Sequence, residues 1–430
     1  MRFVFPPLVW LSLGGCDSKP APATEEVASS SDTASAVSDD PLDDPPEDTA
    51  DEHEDTAQDT GSDTAEPVEP QDCSIFPWPD HVPVLAETEL AIAGSQSESW
   101  TVTLPAEAAQ GPVVIGVWSE DTEAACYQLD SVVADGETWV HEPLDPIDRG
   151  MACLTCPERV AVRQDAGWFV FPRAPAAVDE LTLKVGIRDC KTGAPALAEL
   201  GDPVPEQVTV SVGRVPAEAA PTRLPIHLVY ATSFEVTAVA EAAIVEAASH
   251  FADAGLAIEI DRTTNLAFEG LEPTYEGAQR TGLDAFLTAI EAQSTHTGTP
   301  SAVPVVLVDC VEQTGLSSGF PEGFNTAIPG LPSVSCVSDA VFVRMSQCVG
   351  STPTAYPWTA PTLGKVMAHE IGHFLGLYHS VESDGTQDNL DDTDENNLMY
   401  FQALTGTTTS FSPSQIDIMN VHVQLFEMSH

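Results

Sequence analysis

Apolar and polar positions change rhythm twice along this chain, and each change marks a different kind of structure. Residues 17 to 72 hold few apolar side chains in no repeating order. Asp, Glu, Thr, Ser, Ala and Pro dominate there, and Asp-Thr recurs from positions 32, 48, 55, 59 and 63. Such a segment has too little apolar surface to offset the entropy of ordering, and its like charges hold it extended, so it predicts a disordered tether. From 73 to 216 the pattern shortens to strand-like runs. Trp100–Leu104, Leu181–Val185 and Gln207–Val212 alternate, while Pro112–Trp118 and Trp168–Phe171 are continuous apolar stretches. Pro, Gly and Asp clusters separate them, which predicts a β-sandwich-like domain. Beyond 217 strands and helices mix. Leu224–Tyr230, Leu256–Ile260, Val303–Val308 and Ala340–Val343 read as strands, and Val236–Ala254 and Gly282–Gln293 as helices. A last helix runs from Pro413 to Phe426, with Ile416, Met419, Val423 and Phe426 at helical spacing. The expected class is α+β, a twisted mixed sheet carrying helices, over residues 217–430.

Charge narrows the partners. The 430 residues include 67 Asp and Glu against 15 Lys and Arg, a formal net charge of −52. A surface this acidic repels a polyanion, so nucleic acid is excluded as a partner. Calcium binding, a salt-adapted surface and plain solubility all fit the same balance. At the start of the chain, Arg2 is followed by an apolar run, Phe3 to Leu13, and then by Gly14-Gly15-Cys16. The run is shorter than the roughly 20 residues a membrane span needs. It reads as a signal peptide over residues 1–15. Leu13-Gly14-Gly15-Cys16 resembles the lipobox of bacterial lipoproteins, which implies lipid attachment at Cys16. The segment 16–72 would then lift the folded part off a membrane, in the extracytoplasmic cell envelope. Apart from Cys16, the cysteines are Cys73, Cys126, Cys153, Cys156, Cys190, Cys310, Cys336 and Cys348, an even set that favours disulfides in an exported chain. Cys153 and Cys156 have the spacing of half a zinc site, but no second such pair exists, and the disulfide reading is preferred.

The chemistry concentrates in His369-Glu370-Ile371-Gly372-His373-Phe374-Leu375-Gly376-Leu377-Tyr378-His379. Pro361 suits the start of a helix leading into this stretch. On a helix, positions i and i+4 share a face, so His369 and His373 present their imidazoles to one metal ion. Gly376 permits a sharp turn that ends the helix, and the turn returns His379 as a third ligand. Three protein ligands leave a position for water, as in a catalytic zinc site, and Glu370 beside the first ligand is placed to act as general base. These residues resemble the long zinc signature of the metzincin metallopeptidases. The stretch Gly376 to Ser380 looks like pappalysin-type members, and Leu398-Met399-Tyr400 looks like the matrixin turn. The resemblance implies a methionine turn with Met399 beneath the metal, and a zinc endopeptidase acting on protein or peptide laid along a sheet edge. Tyr400 is assigned to the wall of the substrate pocket. Two features depart from the pattern: Gln402 stands where some members carry a tyrosine, and no upstream cysteine switch is visible. The rival function is a non-catalytic binding or adhesion lipoprotein on the same fold.

Between His379 and Met399 lies a dense carboxylate run from Glu382 to Glu395. Flexible oxygen ligands suit calcium. Asp384, Asp388, Asp391 and Asp392 are therefore candidate calcium ligands, although the fixed spacing of an EF-hand is missing.

Overall fold

The computed structural model describes residues 78–79, 82–105, 111–119, 125–140, 159–163, 166–173, 178–189, 195–196, 204–215, 223–232, 237–266, 274–275, 302–313, 322–325, 328, 330, 339–346, 348–349, 352–353, 358–383, 385–404 and 410–426. The signal and tether expectations, Cys16, the helix expected at Gly282–Gln293, and Asp384 lie outside the described residues. All described residues belong to one compact unit.

Ten strands form the first sheet: β1 (Val84–Ala93), β2 (Gln96–Ser97), β3 (Trp100–Thr103), β4 (Val113–Trp118), β5 (Ala125–Ala134), β6 (Glu137–Val140), β7 (Arg159–Arg163), β8 (Ala166–Phe171), β9 (Glu180–Asp189) and β10 (Gln207–Arg214). They pair in the order β6-β5-β9-β2-β1-β10-β4-β8-β7, with β3 on β9, and every pairing is antiparallel. The long strand β1 is the hinge of this arrangement. Its first part pairs with β10 and its last two residues with β2. The two halves close on one core, in which Val113, Ile115 and Phe169 meet Leu129, Leu181 and Leu183. Alternation places these side chains, because successive residues of a strand face opposite sides of the sheet. Inside the core, Arg188 spans Gln128 and Asp130 at 2.7 and 2.5 Å, so these buried charges are paired rather than isolated.

The second sheet is mixed. Its strands are β11 (Arg223–Ala231), β12 (Ala257–Asn265), β14 (Val303–Val308), β16 (Gly323–Asn325) and β17 (Val341–Arg344), while β13 (Thr274–Tyr275) and β15 (Glu312–Gln313) form a separate small pair. The order is β12-β11-β14-β17-β16, with all neighbours parallel except the edge strand β16, which runs antiparallel to β17. Both faces are covered. Leu224, Ile226 and Leu228 point to one core and Val229 and Ala231 to another, so the central strands read as continuous apolar runs.

Among the described residues the α-helices are α1 (Thr237–Phe251), between β11 and β12, and, after the last strand of the sheet, α2 (Ala360–Phe374) and α3 (Pro413–Phe426). Ala240, Ala243, Ile244, Ala247 and Phe251 repeat at helical spacing and bury one face of α1 in the larger core, which it shares with α2 and α3. The opposite side of α3 presents Val421 and Leu425 to Val114, Trp168 and Val170 of the first sheet. There Trp78 stacks on Trp168 with ring centroids 5.1 Å apart. Cys126 and Cys310 are each disulfide-bonded. No helix among the described residues is long and apolar enough to cross a membrane.

Candidate active site

Helix α2 begins after Thr359, whose extended backbone and carbonyl lead into the first turn, with Leu363 N–H donating to Thr359 O at 2.9 Å. From Leu363 onward nearly every residue of α2 is buried, including His369, Glu370 and His373. Burying three polar side chains on one helix is costly unless each finds a partner or a ligand.

The helix ends at Gly376, whose φ of +91° is a conformation side-chain-bearing residues rarely adopt. A Cβ there would also stand 2.5 Å from Nε2 of His422 on α3. Gly376 N–H donates to His373 O and Leu377 N–H to Gly372 O, which closes the helix end and reverses the chain. The reversal brings His379 to His369 and His373. One ligand nitrogen from each ring fits within 4.8 Å of the others, and all three residues are buried. Among the described residues this is the group of His, Cys, Asp and Glu side chains gathered closely enough to hold a metal ion.

The rings are turned by their second nitrogens. Nδ1 of His369 lies 2.8 Å from Leu398 O, Nδ1 of His373 2.7 Å from Leu377 O, and Nδ1 of His379 2.9 Å from Glu382 Oε2. Each of these partners is an acceptor, so Nδ1 carries the proton and donates, and Nε2 keeps its lone pair for the shared space. Nε2 of His373 and of His379 is buried with no hydrogen-bond partner. Burial, with the neighbouring His379, pulls the His369 pKa down to about 3, and burial followed by the other two rings holds His373 well below the usual histidine range. Both are neutral at physiological pH, the form that binds metal. Inward lone pairs on buried imidazoles fit zinc, whose ligands are borderline nitrogen donors in a small cluster.

Beneath the rings, Asn397-Leu398-Met399-Tyr400 forms a tight turn. Met399 N–H donates to Asn397 Oδ1 at 2.8 Å, Tyr400 N–H to Asn397 O at 3.1 Å, and Ser380 N–H to Met399 O at 2.8 Å. Met399 is fully buried, and a Cβ on Gly372 would lie 2.7 Å from its sulfur. The methionine therefore underlies the segment that joins the first two histidines. Tyr400 is half-buried in the same turn, its ring 4.7 Å from that of Phe401.

Glu370 meets a residue that the motif does not include. Asn325, on the edge strand β16, donates from Nδ2 to Glu370 Oε2 at 2.8 Å and to Glu370 O at 2.9 Å. Both partners are acceptors, which fixes the amide orientation. Just before this strand, Glu322 is pushed up to about 7 by burial, against the opposing pull of Arg344, the Leu404 amide and Lys365.

The calcium expectation finds other employment for its carboxylates. Asp388 Oδ1 accepts from Thr393 Oγ1 and Leu390 N–H, and Asp392 accepts from Ser412 Oγ and Ser414 N–H at the start of α3. Asp391 is exposed. Asp388 and Asp392 thus shape the loop and cap a helix, and the one group of three close metal-ligating side chains among the described residues does not include them.

Residues 347–427, which hold the three histidines, Glu370 and Met399, match the model of a family described as Metallo-peptidase family M12B Reprolysin-like. No curated protein sequence matches the chain. Among solved structures it is similar to metalloproteinase-II from Bacteroides fragilis, at 19% identity over 52% of this chain and 64% of that one, with a TM-score of 0.31. It thus spans less than two thirds of that protein's length. It is also similar to archaemetzincin from Methanopyrus kandleri, at 14% identity over 49% of this chain and 98% of that one, with a TM-score of 0.30.

Proposed function

We infer that the chain is a zinc-dependent endopeptidase of metzincin type. The observation that carries this is the cluster of three buried imidazoles, their Nδ1 protons already engaged, with Glu370 next to the first of them. His369, His373 and His379 would hold the ion through Nε2. Zinc, when bound, supplies Lewis-acid polarisation of a carbonyl and acidification of water. Glu370 then has the work of a general base: its carboxylate takes a proton from the attacking water and returns it to the leaving amine. Asn325 orients that carboxylate through Nδ2. Substrate would lie as an extended strand along β16, since an edge strand offers unpaired backbone groups. Tyr400 would stand at the wall of the pocket, and Met399 under the ligands.

The same reading extends to the rest of the chain. Residues 1–15 would be a signal peptide and Cys16 a lipidated anchor, with 16–72 a tether to a cell-envelope membrane. Residues 73–216 would be an accessory β-domain and 217–430 the catalytic domain. The disulfide-bonded state of Cys126 and Cys310 supports an oxidising compartment. Incubating a mixed peptide library with the exported, zinc-supplied protein and with Glu370→Ala tests the activity. Cleavage by the wild type alone is expected. No cleavage by a folded, zinc-loaded wild type would favour a binding lipoprotein instead.

A further inference from the structure

The three imidazoles are not oriented alike. His369 and His373 sit on one helix and donate to backbone carbonyls, of Leu398 and Leu377, which are fixed by the chain itself. His379 sits in the stretch after the turn, and its Nδ1 partner is a side-chain carboxylate, Glu382 Oε2 at 2.9 Å. His379 is 4% exposed, whereas the Glu382 side chain is 29% exposed. The outward group therefore reaches in to hold the inward one.

The backbone around Glu382 is built to aim it. Glu382 N–H donates to Thr386 O at 2.7 Å, and Gly385 N–H returns to Glu382 O at 2.9 Å. Val381 and Gln387 form an isolated antiparallel bridge that closes this hairpin. The hairpin is tied to the methionine turn, because Ser380 N–H donates to Met399 O at 2.8 Å and Ser380 Oγ to Asp394 O at 2.8 Å. At the other end of the ring, His379 Nε2 is buried with no hydrogen-bond partner.

We propose that Glu382 is a positioning residue for the third metal ligand. Its carboxylate holds His379 in the tautomer with the proton on Nδ1 and turns Nε2 into the site. An anionic acceptor on Nδ1 also raises electron density at Nε2, which strengthens the ring as a ligand more than a carbonyl does. The proposal rests on the reading that the histidines hold zinc, and its test is separate from peptide cleavage.

The test is zinc affinity, measured on the full chain by competition with a chromophoric chelator, for wild type, Glu382→Gln and Glu382→Ala. Loss of an outer partner of this kind weakens metal binding by roughly 10–100-fold. Glu382→Ala is expected to fall in that range. Glu382→Gln keeps an acceptor without the charge and is expected to lie between it and the wild type. The zinc-free melting temperature should stay unchanged in both, and the visible bands of the cobalt-substituted protein should shift. Affinities for both variants within twofold of the wild type would overturn the proposal. So would a loss that merely follows a lower zinc-free melting temperature. A wild type that binds one zinc tightly yet cleaves no peptide would remove the proposed activity and leave Glu382 to be judged on affinity alone. A wild type that binds no zinc would overturn both.

Discussion

Replacing Gly376 by alanine tests the turn on which the candidate site depends. Two costs add. The backbone has φ of +91°, and an L-residue held in a left-handed conformation loses about 1–2 kcal/mol. The new Cβ would also stand 2.5 and 2.6 Å from Nε2 and Cδ2 of His422, and forcing an extra carbon into a packed core costs about 1–3 kcal/mol. His422 has little room to yield, since its helix also packs Val421 and Leu425 against the first sheet. The sum is about 2–5 kcal/mol. At about 1.3 °C per kcal/mol for a unit of roughly 350 residues, the melting temperature should fall by roughly 3–7 °C. Thermal unfolding followed by circular dichroism reads this directly. A double-mutant cycle with His422→Ala separates the two parts. Removing the ring should recover only the packing share, about 1–3 kcal/mol, because the strained φ persists. A shift below about 2 °C, or full recovery in the double mutant, would refute the reasoning that links Gly376 to both constraints.

Other consequences can be checked alongside. Asn325→Ala removes both bonds to Glu370, at 2.8 and 2.9 Å, and should lower kcat by about 10–100-fold at unchanged KM and zinc content in steady-state assays. Glu322 has its folded pKa raised by burial to about 7, from its ordinary value of 4.5. Its folded form thus keeps a proton that the unfolded chain has lost, so its contribution is full below pH 4.5 and declines as pH rises towards 7. Chemical denaturation at several pH values should show that decline, worth up to about 3 kcal/mol, in the wild type and not in Glu322→Gln. Trp168→Ala empties the contact with Trp78 and should lower unfolding free energy by about 3–5 kcal/mol, seen as a lower denaturant midpoint.

The sequence disclosed most where one pattern is repeated over many residues. Helix α2, the reversal at Gly376 and the return of His379 follow from spacing alone, because helical period and a glycine turn leave few alternatives. Strands Leu224–Tyr230 and Val303–Val308 were legible because both their faces are buried. The strand expected at Leu256–Ile260 in fact runs from Ala257 to Asn265. Its second half is polar because it lies on an edge, where Thr264 Oγ1 pairs with the buried His227 of the neighbouring strand at 2.8 Å. The helix expected to reach Ala254 tightens into a 3-10 turn after Phe251, closed by Gly255 at φ of +72°. Asn325 escaped notice for a simpler reason. Gly323–Asn325 is too short to show a period, and only its antiparallel pairing with β17 brings the asparagine to Glu370. Glu382 was visible as one carboxylate in an acidic run, but charge density gave no sign that it faces a histidine. That run also carried the calcium expectation, and the hydroxyls and amides bound by Asp388 and Asp392 lie too far along the chain for spacing to disclose.

Zinc titration of turnover tests the central claim most directly. The metal-free protein would be loaded stepwise while hydrolysis of a cleaved peptide and bound zinc are read together, for the wild type and Glu370→Gln. The account predicts wild-type activity that rises linearly and stops at one equivalent, and a Glu370→Gln protein that binds one zinc without turnover. Activity without zinc, or undiminished turnover in the zinc-loaded Glu370→Gln protein, would contradict it.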